Sequence, residues 1–189
     1  MSLRFAAAGI ATLLATTPAA GQEPSRSRAG ATRQVADFTL PDLEGHPVSL
    51  SAFQGKSGVL LAFVKGTWCP HCVDLILQLQ KLKATDLIRI PVLVISPEPA
   101  SRTLEFVTKL EAEKGIRLSM RFLVDSGLRF GPRYGLTREV SGSQGRPPNV
   151  VLLDPTGRQV WSWAEGHDKN LEIGPSLHAR IEEIRARPH

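Results

Sequence analysis

Gly66-Thr67-Trp68-Cys69-Pro70-His71-Cys72 decides how this chain is read, because it holds the only two cysteines in 189 residues and separates them by only two residues. Ahead of it runs Val59-Leu60-Leu61-Ala62-Phe63-Val64, a continuous apolar stretch that suits a central strand covered on both faces. Behind it Leu75, Ile76, Leu79 and Leu82 recur at helical spacing, with Gln78, Gln80, Lys81 and Lys83 elsewhere. The cysteines therefore fall on a strand-to-helix junction. The first sulfur then lies near unpaired backbone N–H groups and the positive end of the helix dipole, surroundings that favour thiolate, the reactive form. The second, one turn further in, is placed to attack a mixed disulfide formed at the first and release the product. Cys69 reads as the nucleophile, its sulfur expected to be exposed enough for an incoming partner to attack, and Cys72 as the resolving thiol; two electrons move, and no cofactor is required.

Other uses of such a pair fit less well. A structural cross-link over so short a loop stabilises little, since the entropic gain grows with loop length. Haem attachment calls for His after the second cysteine, where Val73 stands. Structural zinc needs four ligands, and two cysteines with His71 between them supply no second, distant pair. The imidazole of His71, protonated or polarised beside the helix start, further favours a thiolate at Cys69, and a stabilised thiolate makes the disulfide a stronger oxidant.

With 42% hydrophobic residues, the chain has material for one good core and no second domain. Residues 1–21 read as an export signal: Arg4, an apolar stretch from Phe5 to Ala15 too short to span a membrane, then small residues through Gly21. Its removal deletes only Arg4 and leaves 22 Lys plus Arg against 18 Asp plus Glu, a net +4. The arginines are scattered, without the dense run or interleaved aromatics of a nucleic-acid surface. A periplasmic or otherwise exported protein, without stable membrane insertion after signal cleavage, is expected. Residues 22–33 are polar and without hydrophobic period, as in a disordered leader, so the folded domain is expected over 34–189.

Within that domain, Val35–Leu40 and Val48–Leu50 around the turn Pro41–Gly45 predict a hairpin, with Ser49 or Ser51 capping a brief helical turn through Phe53. Ile88–Ile95 predicts a second buried strand. Ser101–Lys114 predicts a helix on the periodicity of Leu104, Val107, Leu110 and Glu111, ended by Gly115. Met120–Val124 reads as a third strand, Leu128–Tyr134 as a short helix and Leu136–Arg146 as a loop. Asn149–Leu153 predicts a fourth strand, and Asp154-Pro155-Thr156-Gly157 turns it into an alternating partner over Gln159–Ala164. A last helix runs from about Pro175 to Arg185. Parallel strands separated by helices, followed by a hairpin and a closing helix, indicate an α/β sandwich on a mixed sheet.

This order of parts resembles the thioredoxin fold, and more closely its exported TlpA-like and AhpC/TSA-like branch. The likeness covers about residues 35–165. It rests on Asp37-Phe38-Thr39-Leu40 through Gly45, on the strand ending in Trp68-Cys69-Pro70-His71-Cys72, and on Pro148 six residues before Asp154. It implies a three-layer sandwich with a central mixed sheet and an N-terminal hairpin extension. It also implies a cis proline at Pro148 that faces the disulfide and shapes a substrate groove with Trp68, Pro70, His71 and Pro147.

Against the family pattern, Phe63 stands where thioredoxins carry a buried acid, so the proton acceptor for Cys72 is unassigned. Arg146-Pro147-Pro148-Asn149 replaces the Gly-x-Pro-Glu of cytochrome c maturation members, and Pro147 lacks the N–H that many relatives offer a substrate strand. Gly66 and Ala62 stand where peroxiredoxins place Thr or Ser and Pro. The Cys-Pro-His-Cys tetrapeptide itself is shared with the periplasmic disulfide-forming oxidants. The sequence therefore predicts an exported thiol-disulfide oxidoreductase acting on protein thiols and disulfides. A thiol peroxidase of AhpC/TSA type and a Cu(I)-handling module using the thiolates and His71 are the alternatives. Glu98 and Asp74 are candidates for moving protons, although nothing in the sequence brings them to the site. Trp161 and Trp163 alternate on one strand and are expected to share a packed face. His46, His167, His178 and His189 read as isolated surface or turn residues.

Overall fold

The computed structural model of the chain describes residues 33–126, 149–164 and 173–186. At its centre is β4, Val59–Phe63, with all five residues buried, as a strand covered on both faces requires. On one side β4 pairs in parallel with β5, Val92–Ser96, which pairs in parallel with β6, Arg121–Val124. On the other it runs antiparallel to β7, Asn149–Leu153, followed by β8, Arg158–Ala164, and by β1, Arg33–Gln34. The sheet order is β1-β8-β7-β4-β5-β6. Arg33, read from the sequence as the end of the leader, pairs with Gln159 and belongs to the sheet.

Alternation along β4 feeds two cores. Leu60 and Ala62 join the core that contains Leu75, Ile76 and Leu79 of α1 (Pro70–Ala84), Leu110 of α2 (Ala100–Lys114) and Ile181 of α3 (Gly174–Arg185). Val59, Leu61 and Phe63 join the other, with Leu40 of β2 (Thr39–Pro41), Val48 of β3 (Pro47–Ser49) and Leu50 of a 3-10 turn, Leu50–Phe53. Each of these large aliphatic side chains contributes about 1.5–3 kcal/mol by leaving water. Gly58, just before β4, has φ +83, and a Cβ there would come within 2.4 Å of the Leu153 carbonyl oxygen, so a side chain would collide with the β7 backbone.

Three local expectations are corrected. Ile88 and Ile90 are buried but precede the strand, which starts only at Val92. The Leu87 and Ile88 amides fold back onto the Leu82 carbonyl after Asp86 takes φ 58, and Pro91 has no N–H to give a ladder. On α2, Leu104 is exposed, and the inward row is Thr103 and Leu110 with Phe106 and Val107 half-buried. Thr103 turns inward because its hydroxyl meets Ser96 Oγ at 3.0 Å. The 3-10 turn is not capped by its own serines: Ser49 Oγ pairs with Thr39 Oγ1 at 2.7 Å, and the Ser51 N–H donates to Asp37 Oδ1 at 2.9 Å. The helix read at 128–134 and the loop at 136–146 lie outside the described residues, as do residues 1–32.

Asp42 ties the hairpin to β6. Its carboxylate accepts the Glu44 and His46 amides at 3.0 and 2.9 Å and the Arg121 guanidinium at 2.6 Å. Arg121, then burial working the other way, then the two amides leave the Asp42 pKa below its ordinary 3.8. A lowered carboxyl pKa means stability that is present above about pH 4 and lost as pH falls below it. Asp42→Asn is expected to lower unfolding stability by about 1–2 kcal/mol, the modest end of the charged range because Arg121 is half exposed. Urea titrations should show the gap from wild type shrinking below pH 4; an equal gap at pH 3 and pH 7 would refute the assignment.

Candidate active site

Residues 64–69 carry the chain from the C-terminal end of β4 into α1. The turn is closed by the Cys69 N–H donating to the Gly66 carbonyl at 3.3 Å. Cys69 is the N-cap of α1, in extended backbone, and Pro70 takes the first helical position, where its missing N–H costs nothing. The Cys69 carbonyl accepts the Cys72 and Val73 amides at 3.0 and 3.2 Å, which starts the helix. One turn in, Cys72 joins Cys69 in the helix-side core, near enough for each thiol to affect the other's ionisation. Both are free thiols.

The pair is unequal in surroundings. Cys72 Sγ accepts the Lys65 N–H at 3.2 Å. Burial, followed by the hydrogen bond with Cys69, pushes the Cys72 thiol up to about 12, and the Lys65 amide opposes the rise. Phe63 faces the opposite core from the cysteines, so no acid stands beneath the pair at that position. Cys69 is 3% exposed. This corrects the expectation of a sulfur open to an incoming partner: Cys69 belongs to the helix-side core and lies inside the surface.

Around the pair, Pro70 and His71 are exposed, and Trp68 is exposed at 67% of its surface. Trp68 does not bury itself over the sulfurs. Its indole lies against Gly66, where a Cβ would come within 2.6 Å of Nε1. Gly66→Ala is expected to swing the indole out of this seat, at a stability cost of about 1–3 kcal/mol that comes mostly from the backbone, because Gly66 sits at φ +158 while the ring is free to move on its outer side. Fluorescence quenching by iodide should rise in this variant; an unchanged quenching profile would mean the seat does not hold the ring. Pro147 and Pro148 lie outside the described residues.

Glu98 was not placed by sequence reasoning. It is 31 positions from Thr67, yet its Oε2 accepts the Thr67 N–H at 2.6 Å. No local pattern signals a contact of this range; only the parallel pairing of β4 with β5 brings the two loops together. Asp74 is exposed on α1. Behind the loop, a cavity of about 10 Å³ between Thr67, Ser96, Thr103 and Phe106 holds at most one water. Trp161 and Trp163 both pack on the helix-side core, as their alternation predicts. His46 stands 3.3 Å from Glu44, and His178 meets the Leu87 carbonyl at 3.1 Å, while His167 and His189 lie outside the described residues. Among the described residues no helix is long and apolar enough to cross a membrane.

Comparison with known proteins agrees with this geometry. The AhpC/TSA family model matches residues 31–161. Thiol-disulfide oxidoreductase ResA of Halalkalibacterium halodurans is 31% identical over 142 residues, spanning 71% of this chain and 69% of that protein. Among solved structures, peroxidoxin BcpB from Mycobacterium tuberculosis aligns with a TM-score of 0.62 at 21% identity, over 84% of this chain and 97% of its own. Peroxiredoxin Q from Xanthomonas campestris aligns with a TM-score of 0.60 at 18% identity, over 77% and 90%. At such identities the structures establish the fold alone, which is the thioredoxin-like mixed α/β sandwich expected from the order of elements.

Proposed function

Because the chain belongs to the AhpC/TSA family, and its two cysteines meet at the start of one helix, we propose that it is an exported thiol-disulfide oxidoreductase exchanging a Cys69–Cys72 disulfide with protein thiols. The observation that carries this reading is the placement of the two cysteines in one core at the start of α1, Cys69 at the N-cap and Cys72 a turn inside. Two cysteines one helical turn apart at a helix start can pass between dithiol and disulfide with little backbone movement.

In the reducing direction, the Cys69 thiolate attacks one sulfur of a partner disulfide, forms a mixed disulfide and expels the other partner sulfur as thiolate. Cys72, once deprotonated, attacks the Cys69 sulfur. The mixed disulfide breaks, the second partner thiolate leaves, and the Cys69–Cys72 disulfide forms, so two electrons reach the partner. The oxidising direction is the reverse. Pro70, His71 and the exposed Trp68 surround the reacting sulfur as contact surface, with Pro147 and Pro148 assigned to the same surface by family resemblance. Export is supported by the N-terminal sequence pattern.

Glutathione titration of the full chain tests the reading. A single two-electron transition that disappears in the Cys69→Ser variant is the expected result, and its potential sets the direction of flow. A chain whose thiols do not titrate as a pair would refute it.

The burial of Cys69 favours a second reading, a thiol peroxidase, since a small oxidant reaches a sulfur that is 3% exposed more readily than a folded partner does. Here Cys69 attacks peroxide, a sulfenic acid forms as water or alcohol leaves, and Cys72 condenses with it to the disulfide, releasing one water. Stopped-flow oxidation of Cys69 by hydrogen peroxide at about the rate of free cysteine would eliminate it.

A further inference from the structure

One partly buried carboxylate lies against the redox loop and has no part in the exchange steps. Glu98 stands in the turn between β5 and α2, with its side chain 15% exposed. Its backbone is held from two sides. The Glu98 N–H donates to Ser96 Oγ at 3.2 Å, the Glu98 carbonyl accepts the Thr103 hydroxyl at 3.4 Å, and the two hydroxyls bond each other at 3.0 Å. From this mount the carboxylate crosses to the neighbouring loop and takes the Thr67 N–H at 2.6 Å. Arg102 stands 4.0 Å away and is 69% exposed, so the loop amide is the closer and drier partner.

Thr67 ends a short row of backbone amides. Lys65, two residues earlier, donates to Cys72 Sγ at 3.2 Å, and the Gly66 amide supports the same sulfur. We propose that Glu98 is a positioning residue, which by holding the Thr67 N–H fixes residues 65–67 in the arrangement that donates to the Cys72 sulfur of the dithiol form. A hydrogen bond to a carboxylate is about twice as strong as one between neutral groups, so the loop is held firmly. Support given to the dithiol form favours it over the disulfide and makes the pair a stronger oxidant. The inference rests on the exchange reading of the pair.

The test is a glutathione titration of the full chain in wild type and in three variants. Glu98→Ala removes the acceptor. Glu98→Asp keeps the charge but falls one methylene short of Thr67, and Glu98→Gln keeps an acceptor oxygen at full reach. Glu98→Ala and Glu98→Asp are expected to move the equilibrium about tenfold toward the disulfide, which is about 30 mV more reducing. Glu98→Gln should stay within about threefold of wild type, on the smaller strength of a neutral acceptor. Thermal unfolding run alongside identifies which variants fold, and Glu98→Asp carries the test should Glu98→Ala not. An unmoved equilibrium in the folded Glu98→Ala or Glu98→Asp variant overturns the proposal. So does a Glu98→Gln shift as large as that of Glu98→Ala, which would make charge the agent instead of position. A wild-type chain with no two-electron transition overturns the exchange reading itself, and is told apart from these outcomes by the wild-type curve alone.

Discussion

Cys69→Ser is expected to abolish exchange, with reduction of a protein disulfide substrate falling on the order of 10³-fold or more. A serine hydroxyl is essentially un-ionised near neutral pH and does not attack sulfur, so no slow substitute route remains. The fold should survive. Cys69 occupies the N-cap of α1, a position where serine is among the preferred residues, and this offsets part of the cost of a hydroxyl in the helix-side core. The variant is therefore informative: far-UV circular dichroism should match wild type while turnover disappears. Retention of turnover would mean that some other group attacks first, and the order of events at the pair would have to be reversed.

Cys72→Ser should fail differently. The first attack proceeds, and the protein accumulates as a covalent adduct with its partner, visible as a shifted band on a non-reducing gel, while turnover falls about 10²-fold or more. The wild-type protein carries a milder version of the same bottleneck. Burial, and then the hydrogen bond with Cys69, pushes the Cys72 thiol up to about 12. The thiol form therefore dominates at neutral pH, and the reactive fraction rises about tenfold per pH unit below that value. Resolution of a preformed mixed disulfide should accelerate by about that factor per unit between pH 7 and pH 9 in single-turnover measurements. A flat profile would reveal a base serving Cys72. The same displacement has a thermodynamic counterpart. A thiol held above its ordinary 9.0 contributes stability that is present below pH 9 and drains away as pH rises toward 12, because the unfolded chain loses that proton first.

The parts of the fold that could be read in advance are those whose signal is local. Val59–Val64 announces a doubly covered strand by its unbroken apolar run, and Leu75, Ile76 and Leu79 announce one face of a helix by their spacing. The pairing of Cys69 with Cys72 needs only the geometry of one helical turn. What escaped depends on contacts between distant segments. The inward rotation of α2 toward Thr103 follows from a hydroxyl on β5, and the cap of the 3-10 turn comes from Asp37, fourteen positions upstream of the amide that donates to it. Glu98 reaches the redox loop only because β4 and β5 end side by side. The burial of Cys69 belongs to the same class, since exposure is decided by what packs above a residue and not by its neighbours in the chain.

The sheet's two margins bear on how other proteins can meet it. At one end β1 is only two residues long, and at the other Asp42 bridges to Leu123 beside a charged Arg121. Short and ion-paired borders of this kind discourage a foreign strand from zipping onto the backbone. Among the described residues this leaves the end of the sheet where Trp68, Pro70 and His71 are exposed as the surface on which the proposed exchange would meet its partner, side chain against side chain.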